Sequence, residues 1–391
     1  MSYLLLGTIF DLPSRLLDAV VRVVLITGLM TFNTLALTYL ERKVIARIQQ
    51  RLGPTRTGPA GLFQPIADAL KLLTKEDLRP RLADRWVFEL APFIVFVPVF
   101  LGFISLPFSH DWGIRFFNLG LFYILAVTSV NIVGWVMAGW GSDNKYALLG
   151  GVRAVAQMIS YEIPLILAAL TVVMVSNTLD LRTIVEQQSH VPNIIIQPLP
   201  AFIFLVAMLA EVNRNPFDIP VAESEVVGGV TVEYSGIRWS FFQLTEYTAL
   251  FIFAILGSAL FLGGYAWPWV SDAPDWLRAP WLELVVTFVK ASIIILAMFW
   301  IRATLPRMRV DQLMSFAWKV LIPISFVQLL IDGWILVYSP WGWGLWLGLT
   351  SGALMVGFVF ALRLSVERMG RRRPREERLA AVQQALAGRG V

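Results

Sequence analysis

The sequence contains no cysteine and only two histidines, His110 and His190. The absence of cysteine excludes disulfide bonds, cysteine-ligated iron–sulfur clusters and Cys-rich zinc sites within this chain. A haem held by two histidines would need both of them, and each lies in a polar connection. Charge is scarce as well, since 15% of the 391 residues are charged, against about 25% in a typical soluble protein. With 57% of residues hydrophobic, the composition predicts a membrane protein.

Long apolar segments dominate the chain. A helix that crosses a bilayer needs about 20 mostly apolar residues, and nine windows approach or meet that length: 23–40, 86–106, 116–138, 159–176, 194–209, 241–262, 282–301, 320–338 and 341–362. Residues 1–362 are therefore expected to form a single all-α membrane domain, a bundle of about nine transmembrane helices. No removable signal peptide is expected, because the first apolar run begins after residue 20 and lacks a small-residue cleavage site.

Lysine and arginine are distributed unevenly between the connections. Of the 32 basic residues, 26 lie in one set of connections or in the tail, namely 41–85, 139–158, 210–240, 302–319 and 363–391. Cytoplasmic connections are rich in Lys and Arg, so we predict an outside N-terminus and a cytoplasmic C-terminus. The tail is expected to contact anionic lipid headgroups rather than nucleic acid.

The connection after the first span combines turns with an amphipathic segment. Glycines and prolines between residues 53 and 61 interrupt any long helix. A second helix then follows, with four apolar residues at helical spacing, Leu62, Ile66, Leu70 and Leu73. This helix is too short and too charged to span, so it is expected to lie along the membrane interface. It either packs on its own bundle or frames, with the end of the first span, an opening for a lipid-soluble substrate.

Acidic residues form the second unusual pattern. The connection 210–236 has a single arginine, Arg214, and five acids: Glu211, Asp218, Glu223, Glu225 and Glu233. Glu162 and Glu246 lie within apolar segments, where a charged carboxylate costs about 2.5 to 3.5 kcal/mol. Such groups need water, partners or protonation, as in a proton relay. For Glu223, Glu225 and Glu233 the alternative is a solvated loop that docks a basic partner.

Four segments carry a family resemblance. They read ERKVIARIQQRLGPTRTGPAGLFQPIADALKLLTKED (41–77), NKYALLGGVRAVAQMISYEIP (144–164), AEVNRNPFDIPVAESE (210–225) with VEYSG (232–236), and RATLPRMRVDQLM (302–314). These segments resemble the membrane subunit of bacterial respiratory complex I (NADH-quinone oxidoreductase) that is the equivalent of mitochondrial NADH dehydrogenase subunit 1.

The resemblance implies a membrane subunit of a proton-translocating NADH (or ferredoxin):quinone oxidoreductase. Such a subunit forms the quinone-access tunnel where the membrane arm meets the peripheral arm, which includes the terminal iron–sulfur subunit. The extended basic tail favours the bacterial plasma membrane over a thylakoid or the inner membrane of an organelle. Quinone would be the substrate, with no covalently bound cofactor and no iron–sulfur cluster or flavin in this chain. The isolated chain is expected to be inactive, because the other subunits of the complex supply the electrons.

The resemblance also assigns residues. The tunnel would comprise Glu41, Arg42, Arg51, Arg56, Phe63, Ala67, Asp68, Leu70, Phe217 and Arg302. The proton path would comprise Glu162, Glu211, Asp218, Glu223, Glu225, Glu233 and Glu246. Two positions depart from the family's pattern, since Val221 replaces a common carboxylate and Asp143 replaces a usual asparagine.

Two other functions stay open at this point. Membrane-bound hydrogenases and formate hydrogenlyases contain similar subunits that do not necessarily reduce quinone. An independent secondary carrier that exchanges protons for a cation would explain the intramembrane acids, but not the motif-rich connections on one face.

Overall fold

The computed structural model describes residues 12–221, 223–267, 270, 274, 277–339, 342–361 and 363. The side chains of residues 12–19, 22, 223 and 224 lie outside that description, as does the predicted basic tail beyond Arg363. Within the described residues the regular structure is helical, with no strand. The predicted fold class, an all-α integral membrane protein, is confirmed.

The helices follow one another in this order: α1 (Leu12–Ile48), α2 (Gln64–Thr74), α3 (Arg85–Gly102), α4 (Gly120–Ser129), α5 (Asn131–Gly141), α6 (Lys145–Ser176), α7 (Leu181–Gln187), α8 (Asn193–Ile196), α9 (Pro198–Glu211), α10 (Glu223–Val226), α11 (Gly236–Phe261), α12 (Pro280–Thr304), α13 (Val310–Phe316), α14 (Ile322–Tyr338) and α15 (Trp343–Ala361). A π-helical turn, Ala317–Leu321, joins α13 to α14. Among the described residues, eight segments are long and apolar enough to cross a membrane.

The predicted span at 194–209 differs from the other eight. Its residues divide between the single turn of α8 and the 14 residues of α9, which extend about 21 Å. That length falls short of the bilayer's hydrocarbon core of about 30 Å. The break has a local cause, because Pro198 cannot continue a helix from α8 and is well placed in the first turn of α9.

The predicted amphipathic helix is α2. Gly61 makes the tight turn before it, with φ of +81° and its Cα packed against the carbonyl group of Pro54. Pro65 is buried in the first turn, whereas the apolar side chains on another face are exposed: Leu62, Phe63, Ile66, Leu70 and Leu73. This exposed stripe is the surface expected to lie at the membrane interface.

Helix α11 is the most enclosed of the described spans, with 89% of its most apolar stretch buried. It packs against α1, α2, α3 and α12. The N-terminal half of α11 therefore meets the last turns of α1 and the amphipathic α2. This junction contains several of the residues predicted to form a tunnel, among them Glu41, Arg42 and Asp68.

Candidate functional site

A first cavity lies between α1, α2 and α11, and we call it the lateral cavity. Its volume is about 370 Å³, within the range of about 300 to 1,000 Å³ that is usual for small-molecule sites. Its lining includes hydroxyl and apolar side chains, among them Thr34, Thr38, Ala69, Leu72 and Leu244. Three charged residues also line it, Arg42, Asp68 and Lys71.

A second cavity adjoins the end of α1, and we call it the inner cavity. Its volume is about 560 Å³. The lining is much more polar than that of the lateral cavity and includes Glu41, Arg42, Arg51, Gln64, Tyr247 and Arg302. Four of these six were predicted as tunnel residues.

Arg42 lines both cavities, so the two share a boundary. Its Nη1 donates to Oδ2 of Asp68 at 2.6 Å, and Gln64 Nε2 donates to the other oxygen of Asp68 at 3.2 Å. The side chain of Arg42 is 42% exposed and that of Asp68 is 26% exposed. Because partly exposed ion pairs contribute only about 0.2 to 1 kcal/mol, this pair adds little to the stability of the boundary.

Behind the inner cavity lies a charged cluster, defined by Glu41, Arg214, Glu246 and Arg302. Arg302 Nη1 is ion-paired with Oε1 of Glu41. Arg214 lies between two acids, with Nη1 at 3.5 Å from Glu41 Oε1 and Nη2 at 3.7 Å from Glu246 Oε2. Glu41 and Arg214 are buried. The cluster is electrically balanced, so a change of charge at one member alters the pairing of the others.

Arg214 keeps its charge despite its burial. Burial alone lowers the pKa of its guanidinium, but the neighbouring Tyr247 and Glu246 outweigh this effect and hold the pKa above its ordinary value. The guanidinium also stacks over the ring of Tyr247, at 4.4 Å from the ring centroid. Arg214 is therefore a fixed positive charge between two carboxylates.

Three other predicted acids lie near the cluster or within the bundle. Glu162 accepts a hydrogen bond from the hydroxyl of Ser129, at the break between α4 and α5. Glu211, buried at the end of α9, interacts electrostatically with Glu162. Asp218 interacts with Arg307, whose Nη2 is 3.9 Å from its Oδ1, and with Glu246.

Glu225 and Glu233 line neither the lateral nor the inner cavity. Glu225 accepts from Arg153 Nη1 at 2.8 Å, and its side chain is 39% exposed. Glu233 accepts from Asn144 Nδ2 at 2.6 Å. Glu223 begins α10, and its side chain lies outside the described part of the structure. These contacts fit a polar connection at least as well as a relay.

Several residues assigned to the tunnel line neither cavity. Arg56, Phe63 and Leu70 are exposed and Ala67 is half-buried. Phe217 packs in the core against Tyr161, with ring centroids 5.2 Å apart. Six residues of α2 do line the lateral cavity: Pro65, Asp68, Ala69, Lys71, Leu72 and Leu73.

Several residues of the site were not predicted, including Gln64, Arg214 and Tyr247. For Arg214 the available signal was its isolation in an acidic connection. Tyr247 had none, because a tyrosine within an apolar helix is common. Among the described residues, no group of three or more His, Asp or Glu side chains is placed to hold a metal ion.

Comparison with known proteins gives a consistent match. The family model described as NADH dehydrogenase matches residues 21–333. A protein of Dehalococcoides mccartyi strain CBDB1, named as a subunit of NADH-quinone oxidoreductase, is 46% identical over 322 residues, which cover 82% of this chain and 87% of the relative. Proteins of the same name from Geobacillus kaustophilus and Brevibacillus brevis are 48% and 44% identical. Their alignments cover 78% and 81% of this chain and 89% and 92% of those relatives.

Proposed function

The chain belongs to the NADH dehydrogenase family, and from that premise we propose that it is the quinone-binding membrane subunit of a proton-translocating quinone oxidoreductase. Its relatives are named as one particular subunit of NADH-quinone oxidoreductase, an enzyme complex whose substrate is quinone. Those names favour the quinone enzyme over a hydrogenase-type subunit or an independent carrier. The partners would be the other subunits of such a complex, including the terminal iron–sulfur subunit.

The observation that carries the proposal is the pair of adjoining cavities. A quinone has an apolar tail and a polar headgroup. The lateral cavity lies between α1, α11 and the amphipathic α2, where a molecule dissolved in lipid can enter from the side. The inner cavity has the polar and charged lining that a headgroup needs. The headgroup would pass the Arg42–Asp68 pair, and the tail would stay between the helices.

The charged cluster would couple chemistry in the inner cavity to the acids beyond it. Reduction of a quinone to a quinol adds two electrons and two protons, so the headgroup carries negative charge whenever an electron arrives before its proton. Glu41 and Arg302 line the inner cavity, and Arg214 connects Glu41 to Glu246. A new negative charge near Arg302 weakens its pairing with Glu41 and shifts Arg214 between its two carboxylates.

The acids Glu162, Glu211 and Asp218 would continue the proton path, since each interacts with another member of the acidic set or with the cluster. Glu223, Glu225 and Glu233 would belong to that path or to a docking surface for a neighbouring subunit. We place the end of the bundle that carries the cavities on the cytoplasmic side, because the connections there hold most of the basic residues. Anionic lipids would contact the basic tail.

The proposal is tested with a variant that narrows the lateral cavity without altering its charges. Ala69 lines this cavity, whereas Ala67, on the same helix, does not. Ala69→Trp in the assembled complex is expected to lower kcat/KM for a long-tailed quinone by about tenfold or more, since even a methylene-sized misfit costs about 1 to 3 kcal/mol. A short-tailed quinone should be affected less.

Ala67→Trp is the matched control, with the same change of size two positions away. It should leave kcat/KM for both quinones close to that of the unmodified complex. If Ala67→Trp impairs the long-tailed substrate as strongly as Ala69→Trp, the lateral cavity is not the route. The same conclusion follows if neither variant has an effect while both assemble normally.

A further inference from the structure

A buried carboxyl group lies in a part of the bundle that lines neither the lateral nor the inner cavity. Asp332, in α14, has no exposed surface, and neither has Gln197 or Gln328 beside it. Helix α14 follows α13 and the π-helical turn in the chain. Arg307, three residues before α13, contacts Asp218. Asp332 is ten residues from the start of α14, a rise of about 15 Å, and six residues from its end.

Both oxygens of this carboxyl group face side-chain amides. Gln328 Nε2, one turn earlier on α14, donates to Oδ1 at 2.7 Å. Gln197 Nε2, just before α9, donates to Oδ2 at 3.1 Å and also to the main-chain carbonyl of Thr171 at 3.1 Å. Gln197 is thus held in place by α6, whereas the amide of Gln328 is held by its bond to Asp332.

Each of the two amides also has an oxygen that accepts no hydrogen bond. Oε1 of Gln197 and Oε1 of Gln328 are buried and have no hydrogen-bond partner among the described residues. A buried polar atom without a partner costs free energy, so such atoms need an explanation. A protonated Asp332 would give the Gln328 oxygen a partner, because its O–H group is a donor.

The charged surroundings are sparse. Helix α14 packs against α6, α9 and the π-helical turn, whose ionisable side chains other than the tyrosines of α6 are Lys145, Arg153, Glu162, Glu211 and Lys319. Glu162 is nine residues, or about 14 Å of helix, from the level of Thr171. Glu211 is the last residue of α9, and Lys319 lies in the π-helical turn, before α14 begins. Helix α15, which packs on α9 through Phe358 and Phe202, has no ionisable side chain over residues 343–361.

We propose that Asp332, Gln328 and Gln197 form a proton-binding site in the half of the membrane domain opposite the cavities. With the carboxylate ionised, both amides donate to it as described above. When a proton binds, one O–H bond forms on the carboxyl group. The terminal amide of Gln328 then turns through about 180° about its χ3 bond, which has two broad minima, and its Oε1 accepts that O–H. Release of the proton to water at the end of α14 reverses both changes.

A second buried carboxylate of the chain provides the contrast. Glu283, at the start of α12, accepts from the hydroxyl of Ser109 at 2.7 Å and from the main-chain N–H of His110 at 2.8 Å on the same oxygen, Oε2. A main-chain N–H can only donate, so this partner cannot turn to accept a carboxyl O–H. The amide of Gln328 can do either. This difference between the partners singles out Asp332 for the proposed exchange of a proton.

The test is an infrared pH titration of the assembled complex. A protonated carboxyl group has a C=O stretching band that the carboxylate lacks. The difference spectrum, taken as the unmodified complex minus the Asp332→Asn complex, should show one carboxyl band that disappears as the pH rises. This band should be the same in sodium and potassium buffers. Glu283→Gln, the matched control, should retain the band. Gln328→Leu keeps the carboxyl group of Asp332 and serves as the test if the Asp332→Asn complex does not assemble. In this variant the band should persist at every pH.

Three results would overturn the proposal. The first is no Asp332 band at any pH, which means a permanently ionised group. The second is a band in the unmodified complex that never changes with pH, which means a permanently neutral structural group. The third is a band that sodium removes and potassium does not, which means a metal cation site. None of them depends on quinone chemistry, so the site and the proposed function can fail separately.

Discussion

Arg214 provides the most demanding test of the charged cluster. Its guanidinium lies between Glu41 and Glu246 and is itself buried. We expect Arg214→Met, which keeps a long apolar side chain, to leave Glu246 without this cation. Glu41 retains Arg302. The loss of stability should therefore come mainly from the uncompensated charge of Glu246.

The magnitude follows from burial. Removing one partner of a buried ion pair costs about 3 to 5 kcal/mol, chiefly because the remaining charge is left without compensation. A partly exposed pair is worth only about 0.2 to 1 kcal/mol. Arg153 and Glu225 form such a pair at 2.8 Å, with side chains 25% and 39% exposed. Arg153→Met is therefore the matched control.

A double variant separates lost pairing from other damage. Glu246→Gln removes the charge that Arg214→Met leaves unpaired, so the two changes together should cost less than the sum of the single changes. Groups in direct contact typically show interaction energies of about 0.5 to 3 kcal/mol. The assay is the unfolding midpoint of the assembled complex in detergent, together with the amount of the chain that it retains.

Two results would refute this reasoning. One is an Arg214→Met complex as stable as the Arg153→Met complex, which would mean that the cluster is solvated rather than buried. The other is strict additivity of Arg214→Met and Glu246→Gln, which would mean that Arg214 and Glu246 do not interact.

Two further predictions concern the first connection. Asp68→Asn removes the ion pair with Arg42, which is partly exposed, so we expect the unfolding midpoint to be almost unchanged while kcat/KM for quinone falls; a loss of stability comparable with that of Arg214→Met would contradict this. Gly61→Ala adds a Cβ that overlaps the carbonyl of Pro54 at a φ of +81°, so it should destabilise the complex by more than about 1 kcal/mol. Gly28→Ala is the control, because nothing lies within 4 Å of the added atom, and it should be neutral or slightly stabilising. Equal unfolding midpoints for the two variants would show that the turn at Gly61 is not needed.

The membrane architecture was predictable because it depends on local composition. A run of about 20 apolar residues specifies a spanning helix with little help from the rest of the chain. The segment 194–209 shows the limit of that rule. It is as apolar as a span, but Pro198 divides it and leaves 14 residues in α9. Backbone chemistry, not hydropathy, set the helix length there.

The tunnel was predictable only in part. The apolar spacing in α2 identified a helix and its exposed stripe, but not the face that lines the lateral cavity. That face depends on how α2 packs on α1 and α11, which no local pattern encodes. Ala69 and Leu72 therefore replace Ala67 and Leu70 at the cavity wall.

The charged cluster depends on contacts between distant parts of the chain. Glu41 and Arg214 come from the end of α1 and from the connection after α9, and Arg302 lies further along still, in α12. Sequence spacing predicts partners along one helix, at three or four residues, and cannot pair residues from different helices. The same limit applies to Asp332 and Gln197, which come from different parts of the chain and meet in the core.

Entry of a lipid-soluble quinone into the inner cavity through the lateral cavity is the step on which the proposed function depends. The most direct measurement is photolabelling of the assembled complex with a long-tailed quinone that carries a photoreactive group on its tail, followed by peptide mass spectrometry. We predict labels on the three segments that line the lateral cavity, 31–42, 65–73 and 239–244, and their loss when unlabelled quinone competes. Competed labels confined to other faces of the bundle, with none on these three segments, would contradict this route.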